Sequence, residues 1–138
     1  MRVVGCFLEY EDKFLILKRD ANKPEGNTWG LPGGKVKEGE EDSVAMAREL
    51  AEETGRVALA TELEYIDEYE FITSTGEPYT YVAYRTRIEE EHNVTLEKDA
   101  HTDSRWVTAE ECDMLPDLIK DFDTLLRLTG YISVEPVS

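Results

Sequence analysis

One stretch of this chain, Asp42 to Thr54, has an unbroken helical period, and it lies between segments that alternate or break as strands and turns do. At ~100° per residue, Val44, Ala47, Leu50, Ala51 and Thr54 share one sector of that helix, and Glu49, Glu52 and Glu53 share the opposite one. Asp42 reads as the N-cap and Gly55 as the left-handed stop. A helix with one apolar sector must lay it on another element, and the flanks supply strands. Val3 to Glu9 and Lys13 to Arg19 read as a hairpin about Glu11-Asp12, and Val57 to Phe71 and Tyr79 to Ile88 as a longer one about Ser74-Thr75-Gly76. Asp20 to Thr28, Lys35 to Glu41 and Glu89 to Asp103 read as loops, and Ser104 to Val107 as a short strand. Thr108-Ala109-Glu110-Glu111 has the pattern of a capping box. A last helix is expected to start at Leu115-Pro116-Asp117, to show Leu118, Phe122, Leu125 and Leu126 on its apolar face, and to end at Gly130. Strands and helices mix without strict βαβ alternation, which predicts an α+β fold, a mixed sheet with helices on its faces. The 138 residues fit one domain, 1–138.

The charge balance narrows the partners. Thirty-one acidic and 15 basic side chains give a net charge of −16. Such a surface repels nucleic-acid polymers and anionic membranes. It also repels a phosphorylated small molecule, unless metal cations intervene. No apolar run approaches the ~20 residues that span a bilayer, and the start, Met1 to Glu9, is charged too soon for a signal peptide. Cys6 and Cys112 have no metal-ligand spacing and read as free thiols in a reducing, cytoplasmic setting.

The glutamate face of the helix is where chemistry enters. Three carboxylates at i, i+3 and i+4 repel one another and cost helix stability. Gathered hard oxygen donors are what Mg²⁺ requires, with Mn²⁺ as a substitute. A solvated acidic face remains an alternative on the helix alone. Upstream, Gly33-Gly34 allows a sharp bend that brings a bare carbonyl near the helix, a further oxygen ligand. Arg48, one turn before Glu52, is suited to orient a carboxylate with a two-pronged hydrogen bond.

Gly34, five residues, Glu40, seven residues and then Arg48-Glu49-Leu50-Ala51-Glu52-Glu53-Thr54-Gly55 resembles the Nudix box, G-x5-E-x7-R-E-U-x-E-E-x-G-U, where U is a bulky aliphatic. Every fixed charged and glycine position matches. The departure is the last U, occupied by Arg56, and Val57 is expected to take its packing role. A looser likeness, through Trp29-Gly30-Leu31-Pro32-Gly33-Gly34 and the Arg105-Trp106-Val107 strand, extends over nearly the whole chain.

The resemblance implies an αβα sandwich with a mixed β-sheet and a Mg²⁺-dependent pyrophosphohydrolase. It implies metal ligands at Glu49, Glu52, Glu53 and the Gly33 carbonyl, a bracing Glu40 and an orienting Arg48. Metals would bridge diphosphate oxygens and lower the pKa of the attacking water. The base is left between Glu52 or Glu49 and the loop residues Glu97, Asp99 and His101; Ala100 stands where some family members carry a catalytic glutamate. Arg19 resembles a phosphate-binding arginine, with Lys18 beside it, and Asp117 lies where related enzymes read the base edge, although an N-cap is the commoner role for it. Tyr65, Tyr69, Tyr79, Tyr81 and Tyr84 alternate along the long strands; most should pack the sheet and one is free to stack on a base. The expected substrate is a (d)NTP, including oxidised ones, cleaved to monophosphate and pyrophosphate; dinucleoside polyphosphates and ADP-ribose are alternatives. A nucleotide-binding module without turnover is the reading from another class. Oligomeric state is open between monomer and homodimer.

Overall fold

Strand β1 (Arg2–Tyr10) is the axis of the computed structural model, which describes residues 1–134. The other strands are β2 (Lys13–Arg19), β3 (Trp29–Gly30), β4 (Gly33–Lys35), β5 (Glu64–Ile72), β6 (Pro78–Ile88) and β7 (His101–Val107). The helices are α1 (Asp42–Thr54), α2 (Ala109–Asp113) and α3 (Phe122–Leu128), with a short 3₁₀ turn at Ala60–Glu62. β1 runs parallel to β6 from Arg2 opposite Thr80 to Tyr10 opposite Ile88, and β5 lies antiparallel on the far side of β6. At its other edge β1 forks the sheet. It meets β2 only beside the turn, at Glu9–Phe14 and Tyr10–Lys13, while its beginning pairs with β4, Gly5 opposite Gly33. β2 diverges to pair with β3 and β7. The sheet is therefore mixed, in the order β3-β2-β1-β6-β5, with β4 beside β1 and β7 beside β2.

Alternation along β1 sends its side chains to two cores. Val4 and Cys6 join Val82 and Tyr84 under Ala45, Met46 and Leu50 of α1. Phe7 points the other way, to Phe14, Ile16, Trp29 and Val107 and to Phe122, Leu125 and Leu126 of α3. A third cluster, Leu8, Leu15, Leu17 and Ile88, fills the fork between β1 and β2. Helix, sheet and helix form the αβα sandwich. Among the described residues no helix is long and apolar enough to cross a membrane.

Several local expectations are corrected. Glu41, not Asp42, occupies the cap position and makes no side-chain cap bond; Asp42 is the first helical residue and receives the Arg2 guanidinium at 2.6 Å. The buried sector of α1 is Ala45, Met46, Leu50, Glu53 and Thr54, whereas Val44 is exposed and so is Ala51. That is a rotation of roughly a quarter turn toward the glutamates, because Met46 outweighs Ala51 and Glu53 finds a donor inside. The second long hairpin begins only at Glu64; before it, Val57 is 81% exposed and does not take the packing role expected of it. The final helix starts at Phe122, not near Asp117, because Asp121 adopts a left-handed conformation (φ 69°) and Leu118 bridges to Trp29. Gly55 does stop α1 in the left-handed region, and Thr108 and Glu111 exchange both capping-box bonds, at 3.1 and 2.9 Å.

Leu50 is fully buried between α1 and the sheet. Leu50→Ala is expected to lower the unfolding free energy by ~2–5 kcal/mol in urea denaturation; a loss under ~1 kcal/mol would contradict the packing described.

Candidate active site

Two glycines let β4 run against both β1 and α1. A Cβ on Gly33 would lie 2.0 Å from the Val4 carbonyl oxygen, and one on Gly34 would lie 2.6 Å from the Glu49 carboxyl carbon. Any side chain at Gly34 would occupy the space where that carboxylate lies.

Arg48 is the hub of the carboxylate face. Its Nε and Nη2 donate to both oxygens of Glu40 at 2.9 and 3.0 Å, its Nη1 to Glu49 at 2.8 Å and to Glu52 at 3.3 Å, and Nη2 also to the Lys35 carbonyl at 3.1 Å. Glu40 in turn accepts the Lys37 amide at 3.0 Å, which braces the loop before α1. The Arg48 hydrogen bonds, with that amide, hold the Glu40 carboxyl down to about 2. Glu49 is raised: burial outweighs the help from Arg48, and the charges of Glu52 and Glu97 add to it. Glu52 is the open member, with 44% of its side chain exposed.

Glu53 is unlike the others. It is 7% exposed, and its Oε1 accepts the Gly33 amide at 2.6 Å. Burial, opposed by that bond and reinforced by Glu49 and Glu97, pushes its pKa up to about 8. Its Oε2 faces the His101 Nδ1 at 3.6 Å, while burial and the charges of Arg19 and Lys23 bring His101 down to about 4. At neutral pH the two are therefore an uncharged pair, not an ion pair.

The donor set fits a hard divalent ion. Glu49, Glu52 and Glu53 offer oxygen atoms on one side of α1, and Glu49 and Glu53 are carboxylates whose charge the protein alone leaves undercompensated. Among the described residues no three carboxylate, imidazole or thiol groups close around an ion by themselves. Mg²⁺ commonly takes one or two carboxylates and completes its shell with water and substrate phosphates.

The remaining sequence candidates separate. Arg19 donates from Nε to the Pro24 carbonyl at 2.8 Å, and its charge acts on Glu53 and His101. Lys18, next along the strand, points elsewhere: its Nζ lies 5.9 Å from the centre of the Trp29 ring, which Arg105 also approaches at 5.9 Å. Asp117 does not cap α3, whose cap position is Asp121, and is not among the residues lining the cleft between the long hairpin and α3; its carbonyl accepts the Trp29 amide at 2.8 Å. Of the loop candidates, Glu97 is near enough for its charge to act on Glu49 and Glu53, His101 is buried against Glu53, and exposed Asp99 makes the left-handed turn (φ 66°) between them.

A shallow cleft of about 40 Å³ lies between the long hairpin and the start of α3, lined by Leu31, Phe71, Tyr79 and Tyr81 with Lys120 and Asp121. Tyr81 reaches from it toward β4 and is within range of the Glu53 charge. Its hydroxyl lies where a Cβ on Gly5 would be, 1.6 Å from that position, and Gly5 is the strand neighbour of Gly33. Asp121 was not legible in sequence, since it falls inside what reads as one continuous helix.

A family model described as the NUDIX domain matches residues 1–128. The chain is 33% identical over 135 residues to an RNA pyrophosphohydrolase of Caulobacter vibrioides, a match covering 86% of this chain and 76% of that protein. It is 36% identical over 76 residues to an uncharacterized Nudix hydrolase of Bacillus subtilis, covering 55% of this chain but only 44% of the relative. Among solved structures, a MutT protein from Methanosarcina mazei superposes with a TM-score of 0.80 at 22% identity, covering 94% and 92% of the two chains. The chain belongs to the Nudix family, hydrolases that act on phosphoric anhydrides.

The buried Glu53 has a pH signature when no divalent ion is present. Its folded pKa of about 8 lies above the ordinary 4.5, so folding takes up a proton. That stabilisation is complete below about pH 4.5 and is lost as pH rises toward about 8. In EDTA, Glu53→Gln should therefore gain on wild type between about pH 5 and 8, by on the order of a few kcal/mol in urea denaturation. A difference that stays constant over that range would contradict the assignment.

Proposed function

We propose that this chain is a Mg²⁺-dependent nucleotide pyrophosphohydrolase that cleaves a (d)NTP, oxidised forms included, to monophosphate and pyrophosphate. The observation that carries the proposal is the carboxylate face of α1, with Glu49 and Glu52 braced by Arg48 and Glu53 held by the Gly33 amide, next to the Gly5–Tyr81 contact at the edge of the aromatic cleft. The aromatic wall of this shallow cleft, Phe71, Tyr79 and Tyr81, is the proposed stacking surface for the nucleobase, beside the polar pair Lys120 and Asp121. A diphosphate attached to it then reaches the glutamates. The small size of the cleft and the net charge of −16 both favour a free nucleotide over a polymer.

Glu49, Glu52 and Glu53 with the Gly33 carbonyl are the proposed metal ligands. A divalent ion there would supply positive charge to the phosphate oxygens and acidify a water within reach. Glu40 fixes Arg48, and Arg48 fixes the directions of Glu49 and Glu52. Glu52, the most open of the three, is assigned to receive the proton of the attacking water. Arg19, whose Nε is anchored on the Pro24 carbonyl, is assigned to the departing phosphates. A cytoplasmic location suits the two free cysteines.

The test is phosphate release, coupled to a phosphatase where needed, from (d)NTPs, dinucleoside polyphosphates, ADP-ribose and nucleotide sugars, with Mg²⁺, with Mn²⁺ and with EDTA. The expected result is metal-dependent turnover, highest on a (d)NTP, with Glu52→Gln lowering kcat by ~10²–10⁴-fold and leaving the fold intact. Near-normal activity of Glu52→Gln would overturn the assignment of the base. Metal-independent nucleotide binding without turnover would establish a binding module instead.

A further inference from the structure

His101 has an enclosed side chain, although one of its ring nitrogens is unpaired among the described residues. It opens β7 opposite Arg19, where a register shift between Lys18 and Arg19 interrupts the pairing of β2 with β7. The Ala100 carbonyl accepts the Asp20 amide at 2.9 Å, and the His101 amide reaches back to the Glu97 carbonyl at 3.4 Å. These bonds fix the backbone and aim the ring at α1. Its side chain is only 7% exposed. Its Nδ1 has no hydrogen-bond partner among the described residues, and buried nitrogens are seldom left so. Glu53 Oε2 lies 3.6 Å from it. That separation is longer than a hydrogen bond, and a side-chain shift of under ~1 Å would close it.

Glu53 has the complementary need. The Gly33 amide fixes Oε1, while no hydrogen bond among the described residues fixes Oε2. A carboxylate held at one oxygen can still swing. Held at both, it presents a remaining lone pair in one direction, toward the face it shares with Glu49 and Glu52. We propose that His101 is the positioning residue for Glu53, donating from Nδ1 to Oε2 and so clamping the carboxylate against the Gly33 amide in its ion-binding orientation. The clamp rests on the reading of Glu53 as a metal carboxylate. It gives a buried histidine outside the helical box a part in building the site, without contact with the substrate. Carboxylates that bind metals are commonly steered by such hydrogen bonds, and losing one typically weakens metal affinity by ~10–100-fold.

The test uses Mn²⁺ alone, with free ion followed by electron paramagnetic resonance and no nucleotide present, on wild type, His101→Ala, His101→Gln, His101→Asn and Glu53→Gln. An asparagine places its amide where Nδ1 of histidine lies, whereas glutamine places its amide near Nε2. The clamp predicts Mn²⁺ affinity weakened ~10–100-fold in His101→Ala and His101→Gln and largely restored in His101→Asn, all with circular dichroism spectra like the wild type. Should His101→Ala fail to fold, the contrast between His101→Asn and His101→Gln decides. Unchanged affinity in His101→Gln, or equal loss in His101→Asn and His101→Gln, overturns the clamp if Glu53→Gln has lost affinity. Full Mn²⁺ affinity in Glu53→Gln overturns the reading of Glu53 itself, and the clamp with it.

Discussion

Three carboxylates share one guanidinium in this protein, and a fourth has only a peptide amide. Arg48 compensates Glu40 with two bonds and reaches Glu49 and Glu52 with what is left, while Glu53 is buried against the Gly33 amide. Negative charge in excess of its local partners destabilises a fold unless protons or cations supply the difference. Protonation does so at Glu53, whose pKa rises to about 8, and a divalent ion would do so more completely. The same imbalance that costs stability makes the helix a place where a polyphosphate and its counter-ions can be received.

The sheet supplies the rigidity this requires. β1 contacts every part that matters: α1 through Val4 and Cys6, β4 through Gly5, and the core beneath α3 through Phe7. Because Gly33 and Gly34 have no side chains, β4 brings the backbone amide to Glu53 and leaves room for the Glu49 carboxylate. Because Gly5 has none, the Tyr81 hydroxyl packs against the β1 backbone at the strand neighbour of Gly33. Glycine serves close approach at these three positions, and strained backbone angles play no part in them.

The elements with strong local signals were legible in the sequence. The hairpins, the α1 helix with its Gly55 stop and the Thr108 capping box all follow from periodicity and turn chemistry, and the spacing of the box names the glutamates that lie around Arg48. What failed depended on tertiary balance. The burial of Glu53 reverses the polarity that a helical wheel assigns it, because a wheel does not count a donor such as the Gly33 amide on another element. The break at Asp121 hides within an apolar pattern that continues through Leu118 to Leu125, so the sequence pattern points to Asp117 as the helix cap where the structure has Asp121. His101, one loop candidate among three, shows its contact with Glu53 only once β7 is paired with β2.

The central claim is that the glutamate face of α1 receives divalent ions together with a nucleotide whose base lies in the Tyr81 cleft. Crystals grown with Mn²⁺ and a nucleoside triphosphate bearing a methylene group in place of the scissile oxygen would test it most directly, through the anomalous signal of manganese. The account predicts peaks bonded to Glu49, Glu52 and Glu53, bridged by the phosphates, with the base against Phe71, Tyr79 and Tyr81. Manganese confined to other acidic surfaces, such as the groove of Glu9, Glu11 and Asp12, with the glutamates of α1 bare, would contradict it.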